Sequence, residues 1–115
     1  MDDAEQTIAR MAVEYWRLMR LVSRTIAMAP EDKRERLAAS IRYGAARVEE
    51  TLAGHNMSIQ EFEGADFEIN LPVSPINSSD FPGEDALIIE RTIEPAVICD
   101  TRVVLTGKVL LARKG

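Results

Sequence analysis

ALIIERTIEPAVICDTRVVLTGKVLLARKG, residues 86–115, is written as a β-module. Its β-branched and aliphatic runs, Leu87 to Ile93, Ala96 to Cys99, Val103 to Leu105 and Val109 to Ala112, are each closed by a turn or a breaker, as in a set of short hairpins. Pro95 cannot donate to a strand ladder, so Glu94-Pro95 marks an edge or a bend in what would otherwise be one very long strand. Asp100-Thr101 separates two runs by two residues, the length of a tight hairpin, without the glycine that the most favoured turns carry. Small apolar residues and Gly107, rather than reactive side chains, close the stretch, which predicts surface contact instead of bond chemistry.

Upstream, Phe67, Ile69, Leu71 and Val73 alternate with Glu68, Asn70 and Pro72, the period-two pattern of a half-buried strand. Ser74 to Asp85 is rich in Pro, Ser, Asn, Asp and Gly and predicts a long exposed loop, 74–85, with Phe81 tucked back. Residues 1–54 are unlike this, because apart from Pro30 they carry unbroken helical periodicity. The expected architecture is α+β: an N-terminal antiparallel helical hairpin, 1–54, that dimerises as a bundle, followed by a small all-β domain, 55–115.

In the first helix Ile8, Met11, Tyr15, Leu18, Val22 and Ile26 recur at alternating steps of three and four, widened by Ala12 and Met19, a near-heptad seam of about three repeats. Arg10, Arg17, Arg20 and Arg24 fall mostly beside it, as a solvated face or as a contact for an acidic partner. Trp16 reads as a packing residue at the seam's edge or as an anchor for a partner. Pro30 ends this helix near Met28 and suits the first turn of the next, where Glu31 and Asp32 complement the positive end of the dipole. The second helix carries Leu37, Ile41, Ala45, Val48 and Leu52 at helical steps and stops at Gly54. The seam has more apolar area than one short partner helix covers, so a homodimer through Ile8, Met11, Tyr15, Leu18, Val22 and Ile26 is expected, completing a four-helix arrangement.

The formal charge of -5 is uneven: residues 1–54 hold nine acidic and nine basic side chains, residues 55–115 ten and five. That balance argues against nucleic acid, whose phosphates need clustered cations. Cys99 is the single cysteine, so no disulfide forms within the chain, and its apolar strand suits a buried structural thiol. No signal-like or membrane-length apolar run is present, and a cytoplasmic protein is expected, in which the Asn-x-Ser triplets at Asn56 and Asn77 carry no glycan.

Catalytic constellations are nearly absent from the sequence. His55 is the only histidine, so a multi-histidine metal site within one chain is excluded, and its place at a helix end beside Gly54 predicts a capping or solvent-exposed residue rather than a triad base. The glycines form no phosphate-cradling loop, the carboxylates are unpatterned, and no cofactor or metal is expected.

The order of parts, a helical hairpin running into MSIQEFEGADFEINLPV, a long loop and then IIERTIEPAVICDTRVVLTGKVLL, resembles the C-terminal portion of GrpE, the nucleotide-exchange factor of DnaK-type chaperones. The resemblance covers roughly residues 18–112, with Asp100-Thr101 at the family's Asn-Gly turn and Val109, Leu110 and Leu111 on its final strand. It implies that the β-half, as a wing, presses on the ATPase domain of a DnaK-type chaperone and opens it for ADP release. Ile93 and Leu111 fall at the family's apolar wing contacts, unless both are core residues of a small sheet, and by the resemblance Glu90 and Glu94 meet basic partner side chains, unless they are simply solvated. The chain departs from the family in lacking most of the long N-terminal paired helix, the wing histidine and the glycine turn. Two further readings stand beside it: a dimeric scaffold or adaptor that keeps the fold without exchange activity and, much weaker, an enzyme.

Overall fold

The computed structural model describes residues 3–83 and 86–114. Two helices, α1 (Asp3–Ile26) and α2 (Glu31–Ala53), precede six strands: β1 (Met57–Gln60), β2 (Val73–Pro75), β3 (Leu87–Glu94), β4 (Ala96–Cys99), β5 (Arg102–Leu105) and β6 (Gly107–Arg113). The strands form two three-stranded sheets, ordered β1-β4-β5 and β2-β6-β3, in which only the β2–β6 pair is parallel. Helices followed by two small, mostly antiparallel sheets make this an α+β fold.

Helix boundaries follow local chemistry. Asp3 and Glu5 in the first turn of α1 and Arg24 in its last complement the helix dipole, and Pro30 sits as the N-cap of α2, one position before the turn expected for it. Gly54 caps α2 with ordinary right-handed angles, and the reversal into β1 falls instead on Asn56 at φ 61°, a residue type that tolerates the left-handed region.

The β-half is built on one long hairpin, Leu87 to Arg113, turned at Asp100-Thr101 with Asp100 at φ 57° and kinked in the middle, and β1 and β2 flank it. On one side of the kink β3 pairs with β6; on the other β4 pairs with β5. Pro95 breaks the outgoing strand and Thr106, just before Gly107, the returning one, so both cross from one sheet to the other at the same level. There the backbones touch: a Cβ on Gly107 would lie 2.9 Å from the Ala96 nitrogen and 2.9 Å from the Glu94 carbonyl oxygen. Only glycine fits that approach.

Each sheet builds a core. Ala9, Ala12 and Val13 of α1 and Leu52 of α2 are buried with Met57, Val97, Cys99 and Val104 of the first sheet. The second is Leu87, Ile89, Val109 and Leu111, covered by Phe62, Ala65, Phe67, Leu71, Val73 and Phe81. The first core spans the 54/55 boundary, so α1 and the first sheet stabilise one another.

Two segments differ from their sequence reading. Residues 67–72 do not form a strand: after a bridge from Asp66 to Ile88 the chain turns, with Leu71 N–H donating to the Glu68 carbonyl, and Ile69 points outward at 97% exposure. Alternation predicted its burial, but the turn takes it off the sheet. Nor is 74–85 simply an exposed loop. β2 lies beside β6, and the Asn77 side chain donates to the Leu111 carbonyl at 3.0 Å and accepts from the Leu111 N–H at 2.8 Å, acting as one more strand residue. Phe81 tucks back onto the second core as expected, while Glu84 and Asp85 lie outside the described residues.

The molecule is a slab of 49 × 38 × 16 Å with a radius of gyration of 16.2 Å, against about 13 Å for a compact domain of this length. Its accessible surface, 7823 Å², exceeds by roughly 1,500 Å² what a compact chain of this mass exposes.

Candidate functional site

The excess surface is concentrated on the helices. α2 is 23 residues long and buries only Leu52, too little contact to hold a helix that is marginal in water by itself. α1 uses its small residues, Ala9 and Ala12, to lie close on the first sheet, and this turns the larger side chains of the same helix toward α2 or solvent. Between the helices runs an apolar groove of about 660 Å³ lined by Ile8, Met11, Tyr15, Gly44, Val48 and Leu52 among others.

Of the expected dimer seam, Ile8, Tyr15, Val22 and Ile26 are half-buried, whereas Met11 is 67% and Leu18 55% exposed. The Tyr15 hydroxyl is enclosed without a hydrogen-bond partner among the described residues. Burial, with the nearby Glu49 charge, pushes its pKa up, so it stays a neutral donor. A buried hydroxyl left unpaired costs roughly 1–3 kcal/mol, a penalty that a partner group entering the groove would remove.

The other face of α1 is tied to the β-half. Arg102 forks onto Glu5 at 2.9 and 3.0 Å. Arg17 reaches Glu94 at 2.7 Å, and Lys108, opposite Glu94 in the ladder, pairs with it at 3.2 Å. Trp16 donates its indole N–H to Glu61 at 2.6 Å and lies under the Arg20 guanidinium, which bonds both the Thr92 carbonyl and Glu63 at 2.9 Å. Glu63 also accepts from the Thr92 hydroxyl at 2.8 Å and the Thr92 N–H at 3.1 Å. Burial pushes the Glu63 carboxyl up, but hydrogen bonds from Thr92 and Arg20 outweigh it and hold the pKa at about 2. Arg17, Arg20 and Trp16 thus find their partners within the chain, and part of the acidic excess of the β-half serves to dock α1.

The four residues expected to touch a partner separate. Leu111 is 2% exposed in the second core, because its strand is central between β2 and β3, so it is a packing residue and not an exposed contact. Glu94 is not a free surface charge either, being neutralised by Arg17 and Lys108. Glu90 is exposed and Ile93 half-buried, and both lie where β3 slips register against β6, the kind of bulge that re-aims a side chain outward. Ile69, Ile76 and Val103 are exposed apolar side chains of the β-half that sequence pattern did not single out. Ile69 was hidden by its fit to a strand period, although Asn70-Leu71-Pro72 beside it carries turn chemistry.

No protein-family model, curated protein or solved structure matches this chain.

Among the described residues, no group of three or more His, Cys, Asp or Glu side chains is placed to hold a metal. Cys99 is buried, its sulfur 3.6 Å from the His55 carbonyl and 3.8 Å from Glu5, and burial followed by the Glu5 charge pushes its pKa up, which suits an unreactive thiol. No described helix is long and apolar enough to cross a membrane.

Proposed function

We propose that this chain is a protein-binding module of the GrpE kind, which dimerises through its helices and uses its β-half to hold open the ATPase domain of a DnaK-type chaperone, promoting ADP release. The observation that carries the binding-module reading is the uncovered helical hairpin: an apolar groove, a solvent-facing α2 and roughly 1,500 Å² of excess surface, about twice what one side of a standard interface buries. A second copy laid on the groove gives Met11, Leu18 and Tyr15 the partners they lack. The GrpE reading adds the layout of the parts, a helix pair leading into a β-half that ends in a long hairpin.

Within that reading the β-half acts as a rigid wedge. The kink at Pro95 and Gly107 locks its two sheets together, and the ties from Glu5, Arg17 and Arg20 fix it to α1, so force on one is felt by the other. Ile69, Ile93 and Glu90 are the contacts we assign to the partner. No bond is made or broken; exchange follows from binding the open, nucleotide-free conformer better than the closed one.

Titrating the chain into a DnaK-type ATPase domain, nucleotide-free and ADP-loaded, tests this. The expected result is roughly 5- to 150-fold tighter binding without nucleotide, the usual span of such couplings. Equal affinities would contradict exchange and leave a scaffold or adaptor, and no binding in either state would overturn the partner assignment.

A further inference from the structure

A second concavity, about 600 Å³, lies where the end of α1 meets β3 and is lined by Arg20, Ser23, Arg24, Ala27 and Arg91. Three arginines line it, and no carboxylate among the described residues does. Arg20 is occupied by Glu63 and the Thr92 carbonyl, whereas the side chains of Arg24 and Arg91 have no hydrogen bond or ion pair with any described residue. The helix dipole accounts for Arg24 in the last turn of α1. It does not account for Arg91, which β3 brings from the half of the chain where acidic side chains outnumber basic ones ten to five. Like charges gathered on an exposed surface weaken the fold slightly, so nothing in folding calls for this placement.

We infer that this notch docks an acidic segment of a protein partner, with carboxylates bridging Arg24 and Arg91 and the Ser23 hydroxyl as a further donor. Guanidinium groups hold carboxylates through paired hydrogen bonds, and two free arginines suit two neighbouring carboxylates. A nucleic acid backbone needs a longer run of cations than this notch supplies within an acidic surface. The inference deepens the reading of the chain as a protein-binding module by adding the charge of the partner segment. It places an attractive contact on the arginine side of β3, separate from the helix groove.

The test is amide NMR on the full-length chain at low ionic strength, titrated in parallel with a blocked hexaglutamate peptide, inorganic phosphate and a short DNA duplex. The peptide is expected to shift Ser23, Arg24, Ala27 and Arg91 saturably, and Arg24→Gln or Arg91→Gln to weaken it roughly fivefold, the upper range for one exposed ion pair. Unchanged amides elsewhere show that each variant remains folded. Shifts spread evenly over Arg34, Arg36 and Arg42 of α2, phosphate binding as tightly as the peptide, or a duplex that outcompetes it would each overturn the inference. Peptide binding at the notch by a chain that engages no DnaK-type ATPase would overturn the proposed function and leave the notch standing. The reverse result would remove the notch alone.

Discussion

Replacing Gly107 by alanine would set a methyl carbon 2.9 Å from the Ala96 nitrogen, 2.9 Å from the Glu94 carbonyl oxygen and 3.2 Å from the Pro95 carbonyl carbon. Unstrained contacts begin near 3.5 Å, and these neighbours are backbone atoms at the level where both strands change sheets, so no side chain can swing aside. Overpacking of this kind costs about 1–3 kcal/mol, and the reduced freedom of the unfolded alanine chain offsets about 0.4–1 kcal/mol of it. The net loss is about 1–2 kcal/mol, which lowers the melting temperature of a domain of this size by roughly 4–8 °C at fixed protein concentration. Circular dichroism melting reads this directly. Gly64 supplies the contrast: it has φ 82° with open space around it, so Gly64→Ala acts through backbone strain and Gly64→Asn recovers most of the loss. At Gly107 asparagine recovers nothing. A Gly107→Ala protein that melts within a degree of wild type would refute the crossing of the two sheets at this point.

Leu111→Ser should cost about 3–5 kcal/mol in a melting experiment, since it empties a buried site and adds a polar group there. Ile69→Ser, at a side chain 97% exposed, should leave the melting temperature unchanged and weaken chaperone binding by about 1–3 kcal/mol in a calorimetric titration. Leu18→Asp should reduce the mass by light scattering from twice the 12.8 kDa chain to one chain with the helical spectrum retained; a constant mass would show that the groove face is not the dimer interface. Glu63 has its pKa held at about 2, below the unfolded value, so its contribution is full above about pH 4.3 and is lost as pH falls toward 2. An acid titration by circular dichroism should therefore lose part of its slope between those limits in Glu63→Gln.

Much of the β-half was legible because its punctuation is local. Pro95 cannot pair in a ladder, Asp100-Thr101 leaves room only for a tight turn, and the runs between them have the composition of strands. The helices were legible for the same reason, from period and from Pro30. What the sequence did not disclose depends on which partner each face finds. The larger side chains of α1 suggested its packed face, but Ala9 and Ala12 allow closer approach to a sheet than Met11 or Leu18, so the small residues took the core and the large ones the groove. Glu94 and Arg17, 77 positions apart, carry no mark of their pairing in the sequence. Ile69 and Asn77 misled in opposite directions: a strand period ran across a turn, and a loop-like asparagine completed a ladder.

Release of fluorescently labelled ADP from a DnaK-type ATPase, followed by stopped flow with and without the chain, tests the proposed function most directly. The account predicts a release rate that rises with chain concentration to a plateau, and an Ile69→Ser variant that needs more protein to reach it. A release rate that stays flat while the chain demonstrably binds the ATPase would contradict it.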